Sequence, residues 1–445
     1  MEDESIFVDR SLGEWLNEEG RHLLMPKKIT LKNGLRMLLV PESRGLAATV
    51  LILVEAGSEY ETKEINGLSH FLEHMVFKGT TNRPEPGMVA RELDSLGAQS
   101  NAFTGHTYTG YWAKVRAKKL GKVIEIVSDI YLNPIFEEKE INKERGVVIE
   151  EINLYEDMPP RRAQTLFTSL LYGDQPAGWE IAGKKEIIKK LSREDFLRYR
   201  GLHYVPGKTL VVVAGAFDPE EVVRQVKTLF GQLAPKRRVR KAPVKEQQAR
   251  PAILIKHKTS DQTHLVVGVR AFSIFDRRKY ALQVLANVLG GGMSSRLFHR
   301  VRQELGAAYY IDAAAELGTD HGYFEVSSGA DHTKVKEVIA AILEEFERLK
   351  KEAVPKKELE KAKEHLTGNL ILSLESSDEL ANFYGGQEIL TRSSLTPHEL
   401  VARIQRVTAL EIQSLAHTLF MGAKLNLAMI GPYTNAAPFK KMLIL

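Results

Sequence analysis

His70, Glu73 and His74, in the run Ser69-His70-Phe71-Leu72-Glu73-His74-Met75, have the types and spacing for metal-assisted chemistry. On an α-helix, positions four apart project about 40° from one another, so two imidazoles at that spacing can share one ion. Glu73 lies one turn from His70 on the adjacent flank. The order H-x-x-E-H is the inverse of the commoner zincin motif. Against this stands the bland reading, a chance pair among 13 histidines. Cysteine is absent, which removes thiol nucleophiles and every cysteine-ligated metal site. A metal must then be held by His, Asp, Glu or backbone oxygen. Catalytic zinc takes three protein ligands and keeps one position open, so a carboxylate or another His is needed. Residues 141–156 (INKERGVVIEEINLYE) offer one. Glu144 and Glu151 lie two helical turns apart and share a face, while Glu150 points about 100° away. The preferred assignment is Glu151 as ligand, with Glu144 orienting a histidine or the ligand itself. Taken alone, these acids would more simply form a solvated helix face.

Two helices must position these groups. Leu68, Phe71, Leu72, Met75 and Val76 form an apolar stripe, with Asn66 or Ser69 as cap candidates. Val147, Val148 and Leu154 are expected to give the second helix its buried side. Around them the chain repeats one plan. Strand-like runs at 35–40, 48–55 and 208–216 bracket helix-period segments at 118–131 and 219–230. In the second half, strands at 252–256, 264–269 and 424–430 bracket helices at 333–350 and 355–372. The pattern predicts an α/β (α+β) protein of two similar domains, each a mixed or antiparallel sheet packed against helices, related by duplication. The expected division is an N-terminal catalytic domain over 1–235, a basic linker over 236–250, and a C-terminal domain over 251–445 without a metal site.

The linker holds Lys236, Arg237, Arg238, Arg240, Lys241 and Lys245 beside prolines. No aromatic residues interleave with these charges, which favours an extended solvated linker over a nucleic-acid patch. The net charge of +5, spread over 445 residues, points the same way. Apolar runs of about eight or nine residues fall short of the ~20 that span a bilayer. Glu2, Asp3 and Glu4 open the chain without an apolar or Arg-rich leader, so a cytoplasmic protein is expected. Gly290–Gly292 is not followed by Gly-Lys-Ser/Thr and is no P-loop.

Three spaced motifs carry a family resemblance. Residues 67–80 (GLSHFLEHMVFKGT) resemble the M16 (pitrilysin-type) zinc metallopeptidases, whose third ligand falls about as far past the second His as Glu151 does here, with 76 residues between. Residues 100–111 (SNAFTGHTYTGY) are similar to the family's N-A-x-T strand. Residues 290–310 (GGGMSSRLFHRVRQELGAAYY) resemble a second-half motif in which Arg302 and Tyr309 fit an R-x6-Y pair. The likeness spans about 28–432. One H-x-x-E-H per chain points to the half-size M16B group, with bacterial processing proteases and the mitochondrial processing peptidase β subunit. The resemblance implies Zn2+ held by His70, His74 and Glu151, with Glu73 as general base. It implies that Asn101 and Ala102 pair with an extended substrate, and that Phe77 and Phe103 are pocket walls or simple core. Arg302 and Tyr309 would hold the substrate carbonyl, Tyr309 steadying the oxyanion. The implied partners are unfolded peptides and a second chain, as homodimer or heterodimer with a related M16B subunit, closing a clamshell. Nucleic acid and membrane are not expected partners. His106, close to Asn101, is set aside as a ligand because Glu151 completes the set. The alternative reading is a non-catalytic scaffold or partner subunit; such relatives usually lose part of the metal set, which is intact here.

Overall fold

The computed structural model describes residues 6–8, 14–16, 22–24, 26–42 and 45–444, so the acidic opening residues Glu2–Glu4 lie outside it. Two compact units emerge, and neither is contiguous. The described residues of Met1–Ile152 join Glu180–Ala242 and Leu372–Thr396 in the first. Those of Asn153–Trp179, Pro243–Ile371 and Pro397–Leu445 form the second.

The first unit is built on a sheet of seven described strands in the order Ile6–Val8, Lys27–Leu31, Arg36–Pro41, Thr209–Gly215, Ala47–Val54, Thr109–Arg116, Gln99–Thr104. Only Arg36–Pro41 and Thr209–Gly215 run parallel; the other neighbours are antiparallel. Ala47–Val54 and Thr209–Gly215 are almost wholly buried, as near-continuous β-branched and aliphatic runs require. One sheet face packs Leu38, Leu51, Leu53 and Val212 against Leu380, Ala381 and Tyr384 of the helix Ser377–Thr391. The helix Leu120–Leu132 also packs on this sheet's central strands.

The second unit repeats the plan with five strands: Ala252–His257, Asn426–Gly431, Thr263–Ala271, Gly322–Ala330, Ala308–Leu317. Again one strand runs parallel to the closing strand and the rest are antiparallel, although here the parallel strand, Ala252–His257, is at the sheet's edge. One face carries the larger core, with Leu282, Leu285, Ile342, Phe346 and Phe420 among its members. The other is covered by Leu166 and Phe167 of the helix Pro159–Tyr172, against Val266, Ala428 and Ile430. The α/β fold of two similar sheet-and-helix domains is as expected. The compact units differ from the 1–235 and 251–445 division: 153–179 belong to the second unit and 372–396 to the first. An amphipathic helix advertises an apolar face but not which sheet it will cover.

Residues 236–250 form no helix or strand, and Lys241 and Arg238 pair with Glu59 and Glu55. Among the described residues no helix is long and apolar enough to cross a membrane.

Candidate metal centre

The helix Leu68–Met75 buries Leu68, Phe71, Leu72 and Met75 together with Ser69 and His70. Neither Asn66 nor Ser69 caps it. The N-cap is Gly67, left-handed at φ 97°, with no side-chain cap bond. A Cβ there would lie 2.6 Å from the Ala182 carbonyl oxygen and 2.9 Å from Gly183 Cα, so backbone packs directly on backbone. The free N–H groups are taken by Glu61 from the preceding loop. Its carboxylate accepts from Gly67 N–H at 2.8 Å, Ser69 N–H at 2.6 Å, Ser69 Oγ at 2.5 Å and Asn66 Nδ2 at 3.0 Å. Burial pushes Glu61 up to about 7, against these hydrogen bonds, which favour its charged form. Replacing Glu61 by Ala strands several buried donors, at a cost of about 2–3 kcal/mol. The melting temperature is expected to drop by roughly 5–10 °C; an unchanged melt would remove Glu61 as the cap.

The helix Glu138–Glu156 buries Ile141, Glu144, Val148 and Ile152, one stripe at helical spacing. Val147 and Leu154 do not join it; they are 52% and 57% exposed. The expected buried side was therefore right for Val148 alone, because the stripe runs through the isoleucines instead. Arg145 anchors this helix, donating to the carbonyl oxygens of Ile188 and Leu191, with its guanidinium 5.8 Å from the Phe71 ring centre.

These two helices bring the predicted ligands together. A ligand atom from each of His70, His74 and Glu151 lies within 4.8 Å of the others. Glu151 Oε2 is 3.6 Å from His70 Nε2 and 3.3 Å from His74 Nε2. Two atoms each about 2.1 Å from a tetrahedral ion are about 3.4 Å apart, so the spacing suits zinc. Two imidazoles and one carboxylate are a zinc donor set with one position left open. His70 Nδ1 is buried and has no hydrogen-bond partner among the described residues.

Glu144 holds His74 from behind: Oε1 is 3.0 Å from His74 Nδ1, and Lys78 Nζ is 2.5 Å from Oε2. Burial would raise Glu144, but the bonds from His74 and Lys78 outweigh it and hold its carboxyl below the usual range. Burial alone would lower His74; its hydrogen bonds to Glu144 and Glu151 reverse this and raise it to about 9. Glu73 is not one of the three clustered ligands; its carboxylate accepts from Thr104 Oγ1 at 2.5 Å.

Thr104 ends the strand Gln99–Thr104, which among the described residues is the last in the sheet and pairs on one side only, with Thr109–Arg116. Asn101 and Ala102 sit on this open edge, where Asn101 Oδ1 accepts from Ala102 N–H at 2.9 Å. Phe103 points elsewhere. Strand alternation turns it away from Thr104, and its ring packs edge-on to Tyr108 and over Gly110 in the apolar layer beneath Ser377–Thr391. Phe103 is half-buried there. Phe77 is half-buried just beyond the motif helix. His106 bonds Ser58 Oγ through Nδ1 at 2.9 Å and does not join the ligand cluster. Arg302 and Tyr309 belong to the second unit and meet there, the Arg302 guanidinium 5.5 Å from the Tyr309 ring centre. Sequence reasoning gave no role to Glu61, Lys78 or Thr104; Lys78, four past His74, and Thr104, the last residue of the N-A-x-T run, carried a local signal.

Two sheet-and-helix units, the first carrying a two-histidine, one-carboxylate candidate metal site, fit the metalloprotease class that comparison with known proteins supports. Residues 36–185 match the family described as Insulinase (Peptidase family M16), and 190–366 match Peptidase M16 inactive domain. The chain is 33% identical over 411 residues to a Bacillus subtilis protein named uncharacterized zinc protease YmxG, covering 92% of this chain and 99% of that one. It is 32% identical to an uncharacterized zinc protease of Rickettsia bellii, covering 90% and 96%. A crystal structure described as a protease from Helicobacter pylori superposes with a TM-score of 0.85 at 24% identity, covering 92% of this chain and 100% of that one. This chain belongs to peptidase family M16.

Proposed function

We propose that the protein is a zinc-dependent endopeptidase or oligopeptidase that hydrolyses unfolded peptides. The convergence of His70 Nε2, His74 Nε2 and Glu151 Oε2, with Glu73 one turn along the same helix, carries this reading. Zinc, when bound, lowers the pKa of water to about 7 and polarises a carbonyl. The rest is done by the chain. Thr104 Oγ1 holds one Glu73 oxygen and leaves the other to accept the proton of the attacking water. The water oxygen bonds to the carbonyl carbon, the C–N bond breaks, and Glu73 returns the proton to the leaving amine. Glu144 and Lys78 keep the His74 ring turned, so its Nε2 stays aimed at Glu151.

The open edge of Gln99–Thr104 accepts an extended peptide as an added strand, with Asn101 releasing the Ala102 N–H as it enters. Strand addition needs an unpaired backbone, which selects unfolded peptides over folded proteins. Arg302 and Tyr309 supply donors to the substrate carbonyl, from the same chain or from a second copy or related subunit that completes the enclosure.

The test is hydrolysis of a quenched fluorescent peptide pool before and after zinc removal. Dialysis against a chelator should abolish cleavage, and about one zinc per chain should restore it. Full activity in metal-free protein would end the proposal; zinc bound without cleavage would favour the partner-subunit reading.

A further inference from the structure

We propose that Phe298 is a positioning residue for Arg302, holding its guanidinium by an aromatic face so that its N–H edge stays free for an oxygen of the bound peptide. This deepens the peptidase reading and rests on it for the identity of the ligand. Three observations in the second unit carry it.

Arg302 lies in Phe298–Glu304, a π-helical stretch. Such wide turns are rare and often occur at functional sites. The guanidinium carbon is 4.9 Å from the Phe298 ring centre and 5.5 Å from that of Tyr309, well within cation–π range of both.

Tyr309 is itself delivered by a backbone irregularity. Ala308 pairs with Ala330 and Tyr310 with Gly329, so Tyr309 is the extra residue of a bulge. Bulges re-aim side chains out of the strand's alternation. Tyr309 is 73% exposed, unusual for an aromatic residue at a strand start unless something uses it.

The nearby carboxylate is engaged elsewhere. Glu304, two residues on, is 2.8 Å from Arg300 Nη1 and 3.1 Å from His299 Nδ1. Arg302 makes no ion pair among the described residues. Aromatic faces fix the plane of a guanidinium without consuming its hydrogen-bond donors, whereas a carboxylate would occupy them. The arrangement therefore orients Arg302 while keeping its donors available to a carbonyl or carboxylate oxygen. Phe298 is half-buried against the second unit's core, which fixes the ring in place.

Phe298→Leu keeps the apolar volume and removes the ring face; Phe298→Tyr keeps the face. Each is made in the full chain, alone and with Arg302→Ala, and assayed for kcat/KM on the fluorescent peptide pool, for melting temperature and for Arg302 Nε order by NMR heteronuclear relaxation. The expected result for Phe298→Leu is a loss of about three- to tenfold in kcat/KM and a more mobile Arg302 Nε. Phe298→Tyr should match wild type, and Phe298→Leu should add nothing in the Arg302→Ala background. Equal losses from Leu and Tyr, or an undiminished Leu effect without Arg302, would reduce Phe298 to packing and overturn the proposal. If the wild type cleaves no peptide, the peptidase reading fails, and the Arg302 order alone decides: unchanged mobility in Phe298→Leu overturns the positioning role.

Discussion

A Glu73→Gln protein should bind zinc as the wild type does and hydrolyse peptides about 10²–10⁴-fold more slowly. The substitution is nearly isosteric, and the amide oxygen can still accept from Thr104 Oγ1. What it lacks is the ability to take a proton from water and return it to the amine. The ligand atoms of His70, His74 and Glu151 are untouched, since Glu73 turns toward Thr104. Metal analysis of the purified protein beside single-turnover hydrolysis separates binding from chemistry. Hydrolysis within about threefold of wild type would assign the base elsewhere, since general-base catalysis is worth more than that.

Zinc should bind about fiftyfold more weakly at pH 7 than at pH 9, because it competes with a proton on His74. The bonds to Glu144 and Glu151, overriding burial, raise that imidazole to about 9 from 6.5 in the metal-free protein. The protonated ring sits between two carboxylates, so its contribution to metal-free stability is complete below about 6.5 and is lost as pH rises through about 9. A metal needs the neutral ring. Each pH unit below about 9 therefore weakens apparent affinity about tenfold through this one group. Competition with a chromophoric chelator at the two pH values measures the ratio, and calorimetry in buffers of different ionisation enthalpy counts the proton released. A flat affinity over this range would mean that His74 enters the site already neutral.

Both predictions concern residues that could be picked out before any fold was known, and the reason is geometric. His70, Glu73 and His74 lie within one helix, where spacing alone fixes relative direction. Glu144 and Glu151 share a second helix, so their common face was equally legible. The two halves showed their closing strands, 208–216 and 424–430, as short apolar runs, since such strands are buried on both faces. The hairpin strands Thr109–Arg116, Ala308–Leu317 and Gly322–Ala330 gave no comparable signal, because their residues alternate in burial or mix glycine and charge with apolar side chains.

What stayed hidden depended on contacts between segments distant in sequence or on backbone detail that residue types do not encode. Glu61 caps the motif helix from outside it, and Thr104 holds Glu73 from a strand 31 residues on. Phe103 faces away from Thr104 because β-strand alternation and pairing register decide its side. The helices Pro159–Tyr172 and Ser377–Thr391 each cover the sheet of the opposite half, which no apolar stripe announces. Tyr309 meets Arg302 through a bulge and a π-helical turn, two departures from regular periodicity. Local periodicity thus picked out the candidate ligands, and the family resemblance the role expected of Glu73. Their tuning came from tertiary packing, because desolvation and hydrogen bonding at a side chain depend on whatever the rest of the chain places beside it.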